Sequence, residues 1–76
     1  MMHREKYAVI LVQSTSHAIR AEKLLQRAGI PCQLIPVPRR LSSDCGVCVR
    51  VERADREAAA RALEEAGLVV EGVYEV

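Results

Sequence analysis

With 76 residues the chain has room for one domain and one hydrophobic core, and a core of that size covers only about 60% of the surface the unfolded chain exposes. Phe and Trp are absent and Tyr7 and Tyr74 are the only aromatic residues, so the core has to be built from Val, Ile, Leu and Ala. Eleven basic residues stand against ten acidic ones, a formal net charge of +1, which excludes a global field for drawing in nucleic acid or anionic lipid.

The chain opens on Met1-Met2-His3-Arg4-Glu5-Lys6, which lacks the apolar region of a signal peptide. Tyr7 to Val12 follows as an almost continuous apolar run. It is far short of the ~20 residues of a membrane span and reads instead as a central strand buried on both faces. The expectation is a cytoplasmic protein with no membrane partner. Gln13-Ser14-Thr15-Ser16 supplies hydroxyls suited to capping a helix. From His17 to Ala28, the residues Ala18, Ala21, Leu24, Leu25 and Ala28 fall at helical spacing, with charged and polar residues between them. Gly29 is a natural helix terminator and Pro31 forbids continuation.

Cys32 to Pro38 predicts a second strand, placed at a sheet edge because Pro36 and Pro38 cannot donate to a ladder. Arg39 to Gly46 is polar apart from Leu41 and predicts a loop. Val47, Val49 and Val51 alternate with Cys48, Arg50 and Glu52, the period of a third strand. Asp55 is placed to cap a second helix whose buried stripe is Ala58, Ala59, Ala62, Leu63 and Ala66. Gly67 ends it, and Leu68 to Val76 predicts a fourth strand. Both helices close on Ala-Gly, a pseudo-repeat of two similar halves. The order is that of an α+β ferredoxin-like βαββαβ sandwich, a four-stranded antiparallel sheet with two helices on one face. One domain spans residues 1–76.

That topology makes a spatial prediction. The first two strands run the same way, so the loop from Arg39 to Cys45 and the start of the first helix, Ser14 to His17, emerge at the same end of the sheet. Cys45-Gly46-Val47-Cys48 is a C-x-x-C, but it precedes a strand, whereas a thioredoxin-type pair needs its first thiol at a helix N-terminus. Period-two alternation places Cys48 on the face opposite Val47, Val49 and Val51. A structural zinc site needs four ligands; the pair supplies two, and nothing in the spacing of Cys32 and His17 demands that they join it. No metal and no cofactor are expected.

Cys45 is the more attractive reactive thiol. Nearby positive potential favours the thiolate; Arg39 and Arg40 share its loop, and the helix start brings free N–H groups to that end. His17 is a candidate proton acceptor, against the plainer alternative of a solvated first-turn histidine. Ser14 and Thr15 are candidate anion binders or simply caps. Ser42 and Ser43 read equally as anion-holding hydroxyls and as turn chemistry. Gly46 permits close backbone approach. Cys48 is a candidate second thiol, and Cys32 reads as a small core or edge residue.

Several of these stretches together resemble the Putative Se/S carrier protein-like family of small bacterial domains. They are Tyr7-Ala8-Val9-Ile10-Leu11, Ser14-Thr15-Ser16-His17-Ala18 with Arg20-Ala21-Glu22, Leu34-Ile35-Pro36-Val37-Pro38-Arg39, and Leu41-Ser42-Ser43-Asp44-Cys45-Gly46. The resemblance spans essentially the whole domain, and Pro-x-Pro-Arg followed by Ser-Ser-x-Cys-Gly is its most specific part. It implies a sulfur or selenium carrier, with Cys45 as the carrier thiol and Arg39, Ser42, Ser43 and Gly46 around it. Its partners would be proteins that donate and accept the chalcogen. Cys48 is not a defining member of that motif, which leaves a redox-active pair open.

Two other readings stand beside the carrier. A non-enzymatic module could bind a small ligand or regulate through a homodimer, which an uncovered aliphatic sheet face would support. A metal-binding domain would hold zinc stoichiometrically. RNA binding is disfavoured because the central strands offer no Phe or Trp for stacking. A classical enzyme is disfavoured too, since no nucleophile, base and orienting group form an assignable set.

Overall fold

An apolar run with no polar face has to be covered on both sides, and the first strand, β1 (Tyr7–Leu11), lies in the interior of the sheet. The computed structural model describes residues 6–41 and 46–75. After β1 come helix α1 (Thr15–Arg27), β2 (Cys32–Pro36), β3 (Val47–Glu52), a 3-10 turn (Arg53–Asp55), α2 (Arg56–Glu65) and β4 (Gly72–Glu75). The strands form one antiparallel sheet in the order β2-β3-β1-β4. This is the α+β ferredoxin-like arrangement. The proline-bearing β2 sits at one edge, where its missing donor breaks no ladder.

Alternation along β1 divides the core in two. Ala8, Ile10 and Val12 face the helices and pack with Ala18, Ala21 and Leu25 of α1 and Ala59 and Leu63 of α2, joined by Val49 and Val51 of β3. Val9 and Leu11 face the other way and pack with Cys48, Ile35, Val37 and Leu41. Both helices therefore cover one face, and side chains leaving β2 cover part of the other.

The helix ends repeat one device. Gly29 and Gly67 take positive φ, 77° and 82°. After each, the chain closes the last turn with a pair of bonds: Gly29 N–H to the Gln26 carbonyl and Ile30 N–H to Leu25, then Gly67 N–H to Glu64 and Leu68 N–H to Leu63. These are Schellman closures, which need a residue without a Cβ at that point. Ile30 and Leu68 then drop onto the helix-side core. The common Ala-Gly ending thus encodes a common geometry.

Several boundaries differ from the sequence expectation. α1 begins two residues before His17, because Ser14 caps it and the helix propagates from the cap. β2 ends at Pro36 and β4 starts only at Gly72, while Val76 lies outside the described residues. Leu68 is buried ahead of β4 as part of the turn leaving α2. In α2 the buried residues are Ala59 and Leu63, whereas Ala58 and Ala66 are exposed. In α1, Ala28 is the exposed C-cap. Alanine is compatible with either environment, so its spacing overstates the width of the stripe. Asp55 holds the N-cap position of α2 without a side-chain cap bond. The preceding 3-10 turn gives it φ −97° and ψ 2°, away from the extended backbone that turns a cap side chain onto the first amides.

Candidate functional site

One end of the sheet gathers most of the candidate residues. β1 and β2 both pair antiparallel with β3, so β1 and β2 finish where β3 starts. α1 leaves from that end and the β2–β3 connection spans it.

The helix side of this end is organised by Ser14. Its backbone is extended, φ −154° and ψ 168°, and its Oγ accepts the His17 backbone N–H at 3.2 Å. The same Oγ lies 2.6 Å from His17 Nδ1. A serine hydroxyl accepts two hydrogen bonds and donates one, so it receives the backbone N–H while sharing a proton with the ring. Either the hydroxyl donates to Nδ1, or a protonated Nδ1 donates to the hydroxyl. His17 is half-buried and held by the cap, which differs from the freely solvated alternative. Thr15, the first helical residue, is exposed.

The other side is built from the β2–β3 connection. Val37 N–H donates to the Gly46 carbonyl at 3.2 Å, one step beyond the last β2–β3 pair, Pro36 with Val47. Leu41 N–H donates to the Pro38 carbonyl at 2.9 Å, closing a β-turn with Arg39 and Arg40 at its two central positions. Both arginines are exposed, while Leu41, just past the turn, packs on the cluster of Val9, Leu11 and Cys48. The turn reverses the chain so that the one apolar residue of a polar stretch covers the sheet face without a helix. A lone Leu among polar neighbours was the signal for this, and a loop assignment alone passes over it. Ser42, Ser43 and Cys45, with Asp44 between them, lie outside the described residues.

Cys48 lies on the face opposite Val47, Val49 and Val51, as alternation required. It is 0% exposed, and its Sγ is 4.0 Å from the Pro36 carbonyl oxygen. Cys32 lies at the far end of the sheet, half-buried against the helix-side core. Its Sγ donates to the Glu22 carbonyl at 3.6 Å. Burial pushes its thiol pKa up, and the Glu22 carboxylate pushes in the same direction. Both conditions disfavour the nucleophilic thiolate.

The sheet face without helices is not an open aliphatic surface. Its upper half is closed by Val37 and Leu41. Its lower half carries a polar layer in which Arg50 donates to Gln33 Oε1 at 2.7 Å and stacks over the Tyr7 ring, 4.1 Å from the centroid.

The structure thus puts Ser14, Thr15, His17, Arg39 and Gly46 at one end, with the helix start and the connection entering it from opposite faces of the sheet. Among the described residues no hydrogen bond or ion pair joins the helix start to Arg39. No group of three or more His, Cys, Asp or Glu among them is arranged to hold a metal ion, and no helix among them is long and apolar enough to cross a membrane.

Comparison with known families gives one match: the model described as Putative Se/S carrier protein-like matches residues 6–75. No curated protein and no solved structure matches the chain.

Proposed function

We propose, from the premise that the chain belongs to the Putative Se/S carrier protein-like family, that Cys45 carries sulfane sulfur or selenium between partner proteins. The observation that carries this reading concerns the other two cysteines of the three in the chain. Cys48 is sealed inside a cluster, and Cys32 has its thiol pKa raised by burial. Cys45 belongs to the connection that also presents Arg39 and Arg40 to solvent.

The chemistry is a transfer between thiols without net oxidation. The Cys45 thiolate attacks the outer sulfur of a donor persulfide. A new S–S bond forms to Cys45, the donor's S–S bond breaks, and the donor leaves as a thiolate. An acceptor thiolate reverses the step on the other side, attacking the outer sulfur and restoring the Cys45 thiolate. Selenium follows the same course as a thioselenide. The role of Arg39 is to favour the anionic thiolate and persulfide by its charge. Ser42 and Ser43 hydroxyls supply hydrogen bonds to that anion, and Gly46 gives a partner's sulfur room to approach. Ser14, Thr15 and His17 contribute the positive end of α1 at the same end of the sheet. Partners are proteins that present a persulfide or a receiving thiol.

The test is mass spectrometry of the chain after incubation with a small-molecule persulfide donor. The expected result is the mass of one added sulfur on the peptide containing Cys45, removed by a thiol acceptor and absent from Cys45→Ser. Equal loading of Cys45→Ser overturns the proposal.

A further inference from the structure

Four large hydrophobic side chains are exposed among the described residues: Ile19, 42%; Val69, 58%; Val73, 36%; and Tyr74, 44%. Three of them lie between residues 69 and 74, on and just before β4, and β4 is an edge strand. An edge strand presents unpaired N–H and C=O groups, and proteins blunt such edges with proline, lysine or a cover. The opposite edge follows that practice, since β2 carries Pro36 and is flanked by Pro31 and Pro38. β4 has neither proline nor lysine, and its one charge, Glu75, is engaged from within the subunit by Arg53 and Arg56.

We infer that β4 pairs antiparallel with β4 of a second copy of this chain, joining the two sheets edge to edge. Opposed side chains in an antiparallel pair share a face, so a two-fold axis normal to the sheet places like-facing residues opposite each other. With Val73 on the axis, Val73 meets Val73 of the second copy on the helix side, and Tyr74 of each copy meets Gly72 of the other. With Tyr74 on the axis, Val73 would instead oppose a glutamate, Glu75 of the second copy. The first register keeps valine against valine at its centre.

Local features favour it. Val73 shares a shallow depression with Arg56, Glu57 and Ala60 of α2. Adjacent residues of opposite charge beside a two-fold axis are self-complementary: Arg56, whose Nη1 pairs with Glu75 of its own copy, keeps its other guanidinium donors for Glu57 of the second copy. Ala60 leaves space for the opposing valine. The same register sets Glu75 opposite Glu71 of the second copy, a like-charge pair for which Arg53 and Arg56 supply the counter-charge. On the other face the Tyr74 ring lies across its own Gly72, where a Cβ would sit 2.6 Å from Cε2. The glycine gives the tyrosine a flat seat at the join.

The experiment is sedimentation equilibrium of the full chain under reducing conditions from micromolar to millimolar concentration, with hydrogen exchange across the same range. The expected result is a rise from monomer to dimer mass, with β4 amides gaining protection as concentration increases and β2 amides unchanged. Val73→Lys should keep the far-UV circular dichroism of the wild type and raise the dimer dissociation constant at least about tenfold, since it sets like charges on the axis. A chain that stays monomeric throughout overturns the inference. So does a dimer whose β4 amides exchange at the same rate when dilute, or one that Val73→Lys leaves intact. Should Val73→Lys not fold, the wild-type exchange pattern decides the matter alone.

Discussion

The Ser14 hydroxyl meets His17 at two points, the backbone N–H at 3.2 Å and the ring Nδ1 at 2.6 Å. One side chain therefore closes the first turn of α1 and fixes the direction of the imidazole at the end of the sheet where the β2–β3 connection passes.

Removing that hydroxyl separates stability from chemistry. Ser14→Ala should lower the unfolding free energy by about 1 kcal/mol, as loss of an N-cap does. Ser14→Asp should recover most of it, because a carboxylate caps and also complements the helix dipole. Urea denaturation of the three proteins measures this. Equal stability of Ser14→Ala and wild type would mean that the cap contributes nothing to the fold.

Cys32 gives the domain an alkaline dependence whose sign follows from its surroundings. Burial first, and the Glu22 charge second, raise its pKa above that of a free thiol. As pH rises, the unfolded chain releases this proton before the folded chain does. The stability contributed by the neutral thiol is therefore whole below about pH 9 and is lost as pH climbs through the folded pKa. The stability difference between wild type and Cys32→Ala should be flat from pH 6 to 8 and should shrink above pH 9. Glu22→Gln should speed alkylation of Cys32 at pH 8.5, read by peptide mass spectrometry. A difference that grows with alkalinity would contradict the stated cause.

The order of elements was legible because each boundary carries a local signal: the β1 run, the Ala-Gly closures, the prolines of β2 and the strict alternation of β3. Topology followed from that order, and with it the convergence of the α1 start and the β2–β3 connection. The strap made by Leu41 was signalled only by a lone apolar residue in a polar stretch, since its burial depends on a turn at Arg39-Arg40 and on a sheet face assembled from three strands. The same holds for the Arg50 contacts with Tyr7 and Gln33, which link residues on three different strands. At the site, the exposure of Arg39 followed from loop chemistry and the sheet face of Cys48 from alternation, but the burial of Cys48 did not, because it depends on Ile35, Val37 and Leu41 packing over that face. The tie between Ser14 and His17 did not, because a spacing of three residues permits that contact without requiring it.

Leu41 packs on the cluster that encloses Cys48. A 0% exposed thiol in an apolar cluster reacts only when its cover opens. Removing about 1.4 kcal/mol from a local opening raises its population about tenfold. Leu41→Ala should therefore increase iodoacetamide labelling of Cys48 about tenfold at constant pH, with the far-UV spectrum unchanged. An unaltered rate would place the protection elsewhere, in the packing of Val37 and Ile35.

Arg39 tests whether charge in the connection serves the proposed carrier thiol. It sits at the corner of the Pro38–Leu41 turn, exposed, with Arg40 beside it. Truncating its charge should therefore leave the core untouched, and surface substitutions of this kind stay within about 0.5 kcal/mol of neutral stability. Its effect should appear in the thiolate fraction of Cys45, because an unperturbed cysteine, pKa ~8.5, is mostly protonated at neutral pH. Arg39→Gln should slow persulfide loading of Cys45 at pH 7 and approach the wild-type rate at pH 9.5, where the thiolate forms unaided. Arg39→Lys should fall between the two at pH 7, since it keeps the charge and loses the planar fork. Superimposable rate profiles for wild type and Arg39→Gln from pH 6 to 9.5 would remove Arg39 from the chemistry and leave it as a turn residue.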